Sequence, residues 1–419
     1  MKTLAARLYG ENDLRVETFE LPEVKEGEVL IKVVSDSLCT STYKAVIQGP
    51  NHKRVPPDVD KNPIIIGHEL CGTVVKAGAG LEEKWPTGLD VVIQPALKLE
   101  NNYDPGYSYQ FVGGNTVYAV VPEIVLQRKC LIAYNGDSFY KGSLIEAYGC
   151  VIRAFKGLYH TDYETYTRYD GAKKGGKFLI LGGAGPMGLA SVDLAINYAG
   201  CSQVVVTDLN QSRLDYAARM YSPEDAAKKG VDLKYVNTSE IEDVVGYLRE
   251  ISDGGFDDCF VMVPVPALLT QGEAALGFDG CINFFAGPPV HDLQGSLNLY
   301  RVHYDGIHLV GTAGSIPEDT HDIIKLIEDG VIDPSGLVSH IMGMGALVDS
   351  VFAMKVPNGA KKICYNELDL PCIEIEKLNE WADKDPLYNE LYKIVSANGN
   401  KWCAEAEKYL LANAKKIEL

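Results

Sequence analysis

Cys39, His68, Glu69 and Glu146 are the residues whose types and order could do chemistry. Thiolate, imidazole and carboxylate are ligand classes that zinc takes, and a set of this kind with one position open to substrate predicts a tetrahedral catalytic ion. The run Gly67-His68-Glu69-Leu70-Cys71-Gly72 puts imidazole and carboxylate side by side, Cys39 stands upstream in Leu38-Cys39-Thr40-Ser41, and Glu146 follows in Leu144-Ile145-Glu146-Ala147. Taken singly, each has a plainer reading as a buried thiol, a core histidine or a solvated carboxylate. Their joint order, followed by a nucleotide-type turn, is what points to metal-assisted hydride transfer.

That turn is Gly182-Gly183-Ala184-Gly185-Pro186-Met187-Gly188. The apolar strand 177–181 runs into Gly183-x-Gly185-x-x-Gly188, and Pro186 and Met187 open a helix whose first amides would face a pyrophosphate. The next strand ends at Asp208, where an acidic side chain pairs with ribose hydroxyls and opposes a 2′-phosphate. Asp208 therefore predicts NAD(H) rather than NADP(H), while Arg213 close by leaves room for the phosphorylated form.

The elements that must position these residues change character along the chain. Residues 1–155 hold short β-branched runs such as 29–34, 72–76 and 90–93 between Gly and Pro turns, which predicts a small antiparallel β domain. From 156 to 310 apolar strands alternate with helical stretches, the pattern of βαβ units and a doubly wound parallel sheet. Residues 311–419 return to mixed short elements and end in a charged tail with two helical patterns. The fold class is thus α/β, a β-rich catalytic domain beside a Rossmann domain.

Composition limits the functions this fold can serve. The 419 residues carry a net charge of −18, which disfavours nucleic acid and anionic membrane as partners because both need a positive field. No run approaches the ~18 apolar residues of a membrane span, and the ten cysteines lack paired spacing. Both features predict a cytoplasmic protein with reduced thiols.

The order Cys39, Gly67-His68-Glu69, Glu146 and glycine turn resembles the zinc-dependent medium-chain alcohol and polyol dehydrogenases over roughly residues 1 to 360. The resemblance implies a GroES-like catalytic domain interrupted by the Rossmann domain, NAD(H) as cofactor, and a homo-oligomer, dimer or tetramer, built through Rossmann sheet edges. It puts Cys39, His68 and Glu146 at the zinc-ligand positions and has Glu69 ligate the ion or lie just behind it. Ser41 matches the hydroxyl that receives the substrate proton. Lys44 stands where several relatives have a histidine that passes the proton onward, and it serves either as relay or as cation for an anionic substrate. Residues 90–121 contain no cysteine where many relatives hold a second, structural zinc, so one zinc per chain is expected.

The long chain, the variant Cys39-Thr40-Ser41-Thr42-Tyr43-Lys44 and the acidic tail are similar to the branch that interconverts L-sorbose 1-phosphate and D-glucitol 6-phosphate. A ketose phosphate in an acidic protein needs a local cationic group. Two clusters offer one, His52-Lys53-Arg54 and Arg301-Val302-His303, with Arg301 and His303 favoured as the phosphate ligands. Tyr103, Tyr107, Tyr109 and Tyr118 offer hydroxyls to a polyol or pack a loop. The alternatives are an unphosphorylated polyol or secondary alcohol as substrate, and, from another class, a nicotinamide-binding protein without catalysis.

Overall fold

The structure is a computed structural model that describes residues 1–288, 291–356 and 359–418. It divides into two compact units, the first formed by residues 1–146, 315–329 and 334–419, the second by 147–314 and 330–333. The change of pattern along the sequence predicts boundaries near 155 and 310; the compact units part at 146/147, within the helix Phe139–Gly157, and at 314/315.

In the first unit the β-branched runs become the strands Val29–Ser37, Leu70–Ala77 and Asp90–Ile93, consecutive neighbours in a sheet. Val29, Ile31 and Val33 alternate along the first of these and turn inward onto Leu70, Val74, Val91 and Ile93, the period of two expected of a half-covered strand. The returning chain completes the sheet. Strand Lys361–Tyr365 pairs antiparallel with Val29–Ser37 and parallel with Val338–Gly343. Residues far apart in sequence therefore meet on one sheet. The tail forms the helices Pro386–Ala397 and Ala404–Asn413, and Trp402 between them is fully buried.

The second unit is built on a six-stranded parallel sheet in the order Asp232–Asn237, Gln203–Asp208, Lys177–Leu181, Phe256–Val261, Leu276–Phe284, His308–Val310. Phe178 through Leu181 are buried without alternation, as strands covered on both faces require. The order reverses direction between Lys177–Leu181 and Phe256–Val261, which puts the glycine turn at the topological switch point where such sheets bind ligands. No helix among the described residues is long and apolar enough to cross a membrane.

Candidate active site

Cys39, His68 and Glu69 bring ligand atoms within 4.8 Å of one another. Cys39 is the cap residue of the helix Thr40–Gln48, which fixes where its side chain starts, next to Ser41 in the first turn. His68 and Glu69 follow a tight turn at Gly67, whose φ of 89° suits glycine and where a Cβ would stand 2.6 Å from Asn115 Oδ1. The turn is pinned from beneath: buried Asp36 accepts the Glu69 amide at 3.1 Å and the Asn115 side chain at 3.0 Å.

The His68 ring is oriented by its neighbours. Thr42 Oγ1 lies 3.3 Å from Nδ1, while Nε2 faces Ser41 Oγ at 3.3 Å and the Tyr107 hydroxyl at 3.2 Å. A partner on one ring nitrogen that leaves the other for an ion is the usual arrangement of a zinc histidine. Ser41 also donates to Cys39 Sγ at 3.0 Å and accepts from the Tyr107 hydroxyl at 2.8 Å. A chain of hydroxyls thus runs alongside the ligand atoms.

The charges suit a cation. Burial and then the Glu69 charge push the Cys39 thiol up to about 11. Burial holds His68 below its ordinary value, so the imidazole is neutral and able to ligate. Burial would raise Glu69, but the Lys361 ammonium beside it overcomes burial and keeps the carboxyl below its ordinary value. Glu146 lies outside the tight group of ligand atoms, yet its charge reaches Cys39, His68 and Lys361. A thiolate crowded by carboxylates is costly alone and is offset by a divalent ion, so the donor set fits zinc.

In the second unit, Gly183-x-Gly185-x-x-Gly188 forms the expected turn, with Gly185 as cap and Pro186 and Met187 opening the helix Pro186–Leu194. A Cβ at Gly188 would stand 2.0 Å from the Gly183 carbonyl oxygen, so only glycine lets helix and strand approach this closely. Asp208 Oδ2 accepts the Ala184 amide at 3.3 Å, and Oδ1 accepts the amides of Leu209 and Asn210. The Arg213 Nη2 atom lies 3.4 Å from where a Gly185 Cβ would be, and its buried Nε has no partner among the described residues. A glycine turn at a helix start, flanked by a carboxylate and an arginine, fits a dinucleotide.

Two expectations for the substrate part ways here. The guanidinium of Arg301 is engaged inside its own unit: Nε meets Asp305 at 2.9 Å, Nη1 meets Glu273 through both its carboxylate and its carbonyl, and Nη2 meets the Leu276 carbonyl at 2.6 Å. It closes the carboxyl end of the helix Pro266–Ala275 and neutralises buried Glu273. Arg301 is therefore corrected from phosphate ligand to structural cap; His303, beside it, is exposed with its ring edge-on to Tyr304.

The other cluster gathers on Tyr107, whose ring also neighbours His68. His52 stacks parallel to Tyr107 at 5.9 Å between ring centroids, and the Arg54 guanidinium carbon sits 4.9 Å from the same ring. Lys44, three residues after Ser41 on the same helix, adds its charge to His52. Of the four tyrosines, Tyr107 reaches the site, whereas Tyr109 and Tyr118 pack against apolar clusters. Sequence reasoning missed Lys361, Asp36 and Thr42. The one signal for Lys361 was a lysine heading an apolar strand, Lys361-Lys362-Ile363-Cys364-Tyr365.

Comparison with known proteins agrees with this arrangement. Residues 25–129 match the family described as alcohol dehydrogenase GroES-like domain, and residues 186–329 the family described as zinc-binding dehydrogenase. The chain is 40% identical to the mannitol-1-phosphate 5-dehydrogenase of Aliivibrio fischeri over 98% of its length and 97% of that protein. It is also 40% identical to the L-sorbose 1-phosphate reductase of Klebsiella pneumoniae over 99% of its length and 98% of that protein. Among solved structures, 2R,3R-butanediol dehydrogenase from Bacillus subtilis matches with a TM-score of 0.71 at 22% identity, covering 87% of this chain and 99% of that one.

Proposed function

The chain belongs to the zinc-binding dehydrogenase family with a GroES-like domain, and from that premise we propose that it is a zinc- and NAD(H)-dependent oxidoreductase that interconverts a ketose phosphate and a polyol phosphate, with L-sorbose 1-phosphate and D-glucitol 6-phosphate as the pair. The observation that carries the reading is the cluster of Cys39, His68 and Glu69 with Ser41 and Tyr107 hydrogen-bonded across it. When bound, a zinc ion at these residues would supply Lewis acidity and a nicotinamide would supply hydride chemistry.

The chain's own residues prepare and finish the transfer. Cys39, His68 and Glu146, with Glu69 beside or behind them, would hold the ion. Ser41 stands where a substrate hydroxyl would exchange its proton, and Tyr107, whose hydroxyl already donates to Ser41 at 2.8 Å, resupplies it. Lys44, on the next turn of the same helix, is the third group of this relay or a cation beside it. Asp208 takes the adenosine ribose hydroxyls and Gly183, Gly185 and Gly188 the pyrophosphate.

The phosphorylated substrate class is supported by the two full-length relatives, both named for sugar-phosphate reactions. Exposed Leu299, Tyr300, Tyr304 and Leu309 beside the edge strand His308–Val310 support a homo-oligomer formed there. The ten cysteines without paired spacing support a reducing, cytoplasmic setting. The deciding experiment is NADH oxidation on a panel of ketoses and their phosphate esters. A kcat/KM at least tenfold higher for a ketohexose phosphate than for the free ketose supports the reading, and equal values assign the chain to unphosphorylated polyols instead.

A further inference from the structure

The chain carries a net charge of −18, yet the charges that bear on His52 are those of Arg54, Lys53 and Lys44, all positive. Tyr107 joins this patch to the metal ligands. Its ring carries His52 and Arg54, its hydroxyl contacts Ser41 and His68 Nε2, and its centroid lies 4.7 Å from that of His68. The loop bearing the patch is held in place: Ser108 Oγ donates to the Arg54 carbonyl at 2.6 Å, and Val55 and Pro56 are buried directly after it.

The donors are oriented and not yet engaged. The Arg54 amide donates to His52 Nδ1 at 3.3 Å, which places the ring proton on Nε2. Burial and then the neighbouring cations hold the His52 imidazole down at about 4, so near neutral pH it is a neutral N–H donor rather than a fourth cation. Arg54 forms an ion pair with Asp104, Nε lying 2.9 Å from its Oδ2, which anchors the guanidinium, and neither Nη1 nor Nη2 donates a hydrogen bond to a described residue. Lys53 is exposed beside them.

We propose that Arg54, Lys53 and the Nε2–H of His52 form the seat for the substrate's phosphate, with Tyr107 as the wall between phosphate and reacting carbon. The proposal rests on the sugar-phosphate reading above and names where that ester is held. A phosphate dianion presents three acceptor oxygens, and a planar guanidinium fork with two open nitrogens meets two of them at once. Lys53 adds a point charge and His52 a directed third bond. The seat lies one tyrosine ring from the metal ligands, so the phosphate is positioned by the same unit that holds the ion.

The test uses the full-length enzyme and its Arg54→Lys, Lys53→Gln and His52→Phe variants, assayed with NADH on a ketohexose 1-phosphate, its 6-phosphate isomer and the free ketohexose. Arg54→Lys keeps a cation for buried Asp104, and His52→Phe keeps the ring on Tyr107, so both preserve the packing. The expected result is a fall of about 10- to 100-fold in the ratio of kcat/KM for ester over free sugar in Arg54→Lys, and a smaller fall in the other two. Inorganic phosphate should inhibit reduction of the free ketose competitively in wild type, with a Ki at least tenfold higher in Arg54→Lys. Arg301→Ala should lower Tm and leave the ratio unchanged. If wild type prefers the ester and the ratio survives in Arg54→Lys and His52→Phe, the seat is elsewhere and the sugar-phosphate reading stands. If wild type shows no preference for any ester, that reading falls and the seat with it.

Discussion

Lys361 and Glu69, 292 positions apart in the chain, form a buried ion pair in which one ammonium reaches both carboxylate oxygens at 2.5 Å. Their side chains are 3% and 1% exposed, so neither charge has water to fall back on. Breaking such a pair from one side leaves an uncompensated buried charge, at a cost of about 3–5 kcal/mol. Lys361→Met should therefore lower Tm sharply, and the double variant Lys361→Met/Glu69→Gln should recover much of the loss. A double variant no better than the single one in thermal unfolding would mean the ammonium acts on groups other than Glu69.

Glu407, on the C-terminal helix, performs a related task for the helix that carries Glu146. Its carboxylate accepts the amides of Phe139 and Tyr140 at 2.6 and 2.8 Å and the Tyr365 hydroxyl at 2.8 Å. Burial pushes this carboxyl up to about 7 from an ordinary 4.5, although those donors pull it partly back. Because the folded value exceeds the unfolded one, the native state binds this proton more tightly. Glu407 then contributes less stability as pH rises from 4.5 through 7, by roughly 1.4 kcal/mol for each tenfold difference in proton affinity between the folded and unfolded chain. Glu407→Gln lacks this slope, so its Tm should approach or pass that of wild type between pH 5 and pH 8. A Tm difference that is flat over this range would place the group's titration elsewhere.

How much of this was legible in the sequence depended on the range of the interaction. Cys39 with Ser41, Gly67 with His68 and Glu69, and the glycine turn with Asp208 are local, and local spacing encodes them. The strand register that brings Lys361 beneath Glu69 is set by Ile363 pairing with Ser37 and Cys364 with Asp36, contacts between distant segments that no spacing rule reveals. Arg301 misled for the same reason. A surface Arg-x-His and an internal cap look identical in sequence, and only the positions of Glu273, Leu276 and Asp305 distinguish them. The cluster His52-Lys53-Arg54 was visible, but its nearness to His68 depends on Tyr107, which reaches it from another loop.

The proposed choice of NAD(H) assigns the discrimination to Asp208. Its Oδ2 is turned toward the glycine turn by the Ala184 amide, where it can pair with ribose hydroxyls and repel a 2′-phosphate. Arg213, with an orphaned buried Nε, stands beside the same turn and would welcome that phosphate once the carboxylate is gone. Wild type should favour NADH over NADPH, and Asp208→Ser should narrow or reverse the ratio of the two kcat/KM values. Preference for NADPH in wild type would assign the site to Arg213 and reduce Asp208 to a turn-forming residue.

Occupancy of the metal centre can be read directly. Cys39 sits half-buried at a helix cap, and its thiol, pushed up to about 11 by burial and the Glu69 charge, ionises at neutral pH only when a cation takes up the proton's place. Metal analysis of the purified protein should find about one zinc per chain. Cys39→Ala and His68→Ala should lose the ion and turnover together while far-UV circular dichroism stays that of wild type, because the apolar clusters that include Leu8 and Val29 are packed by residues other than these ligands. Dialysis against a chelator should abolish activity, and added zinc should restore it. Full turnover in Cys39→Ala would remove Cys39 from the reaction and leave its thiol as packing, and two ions per chain would overturn the single-site count.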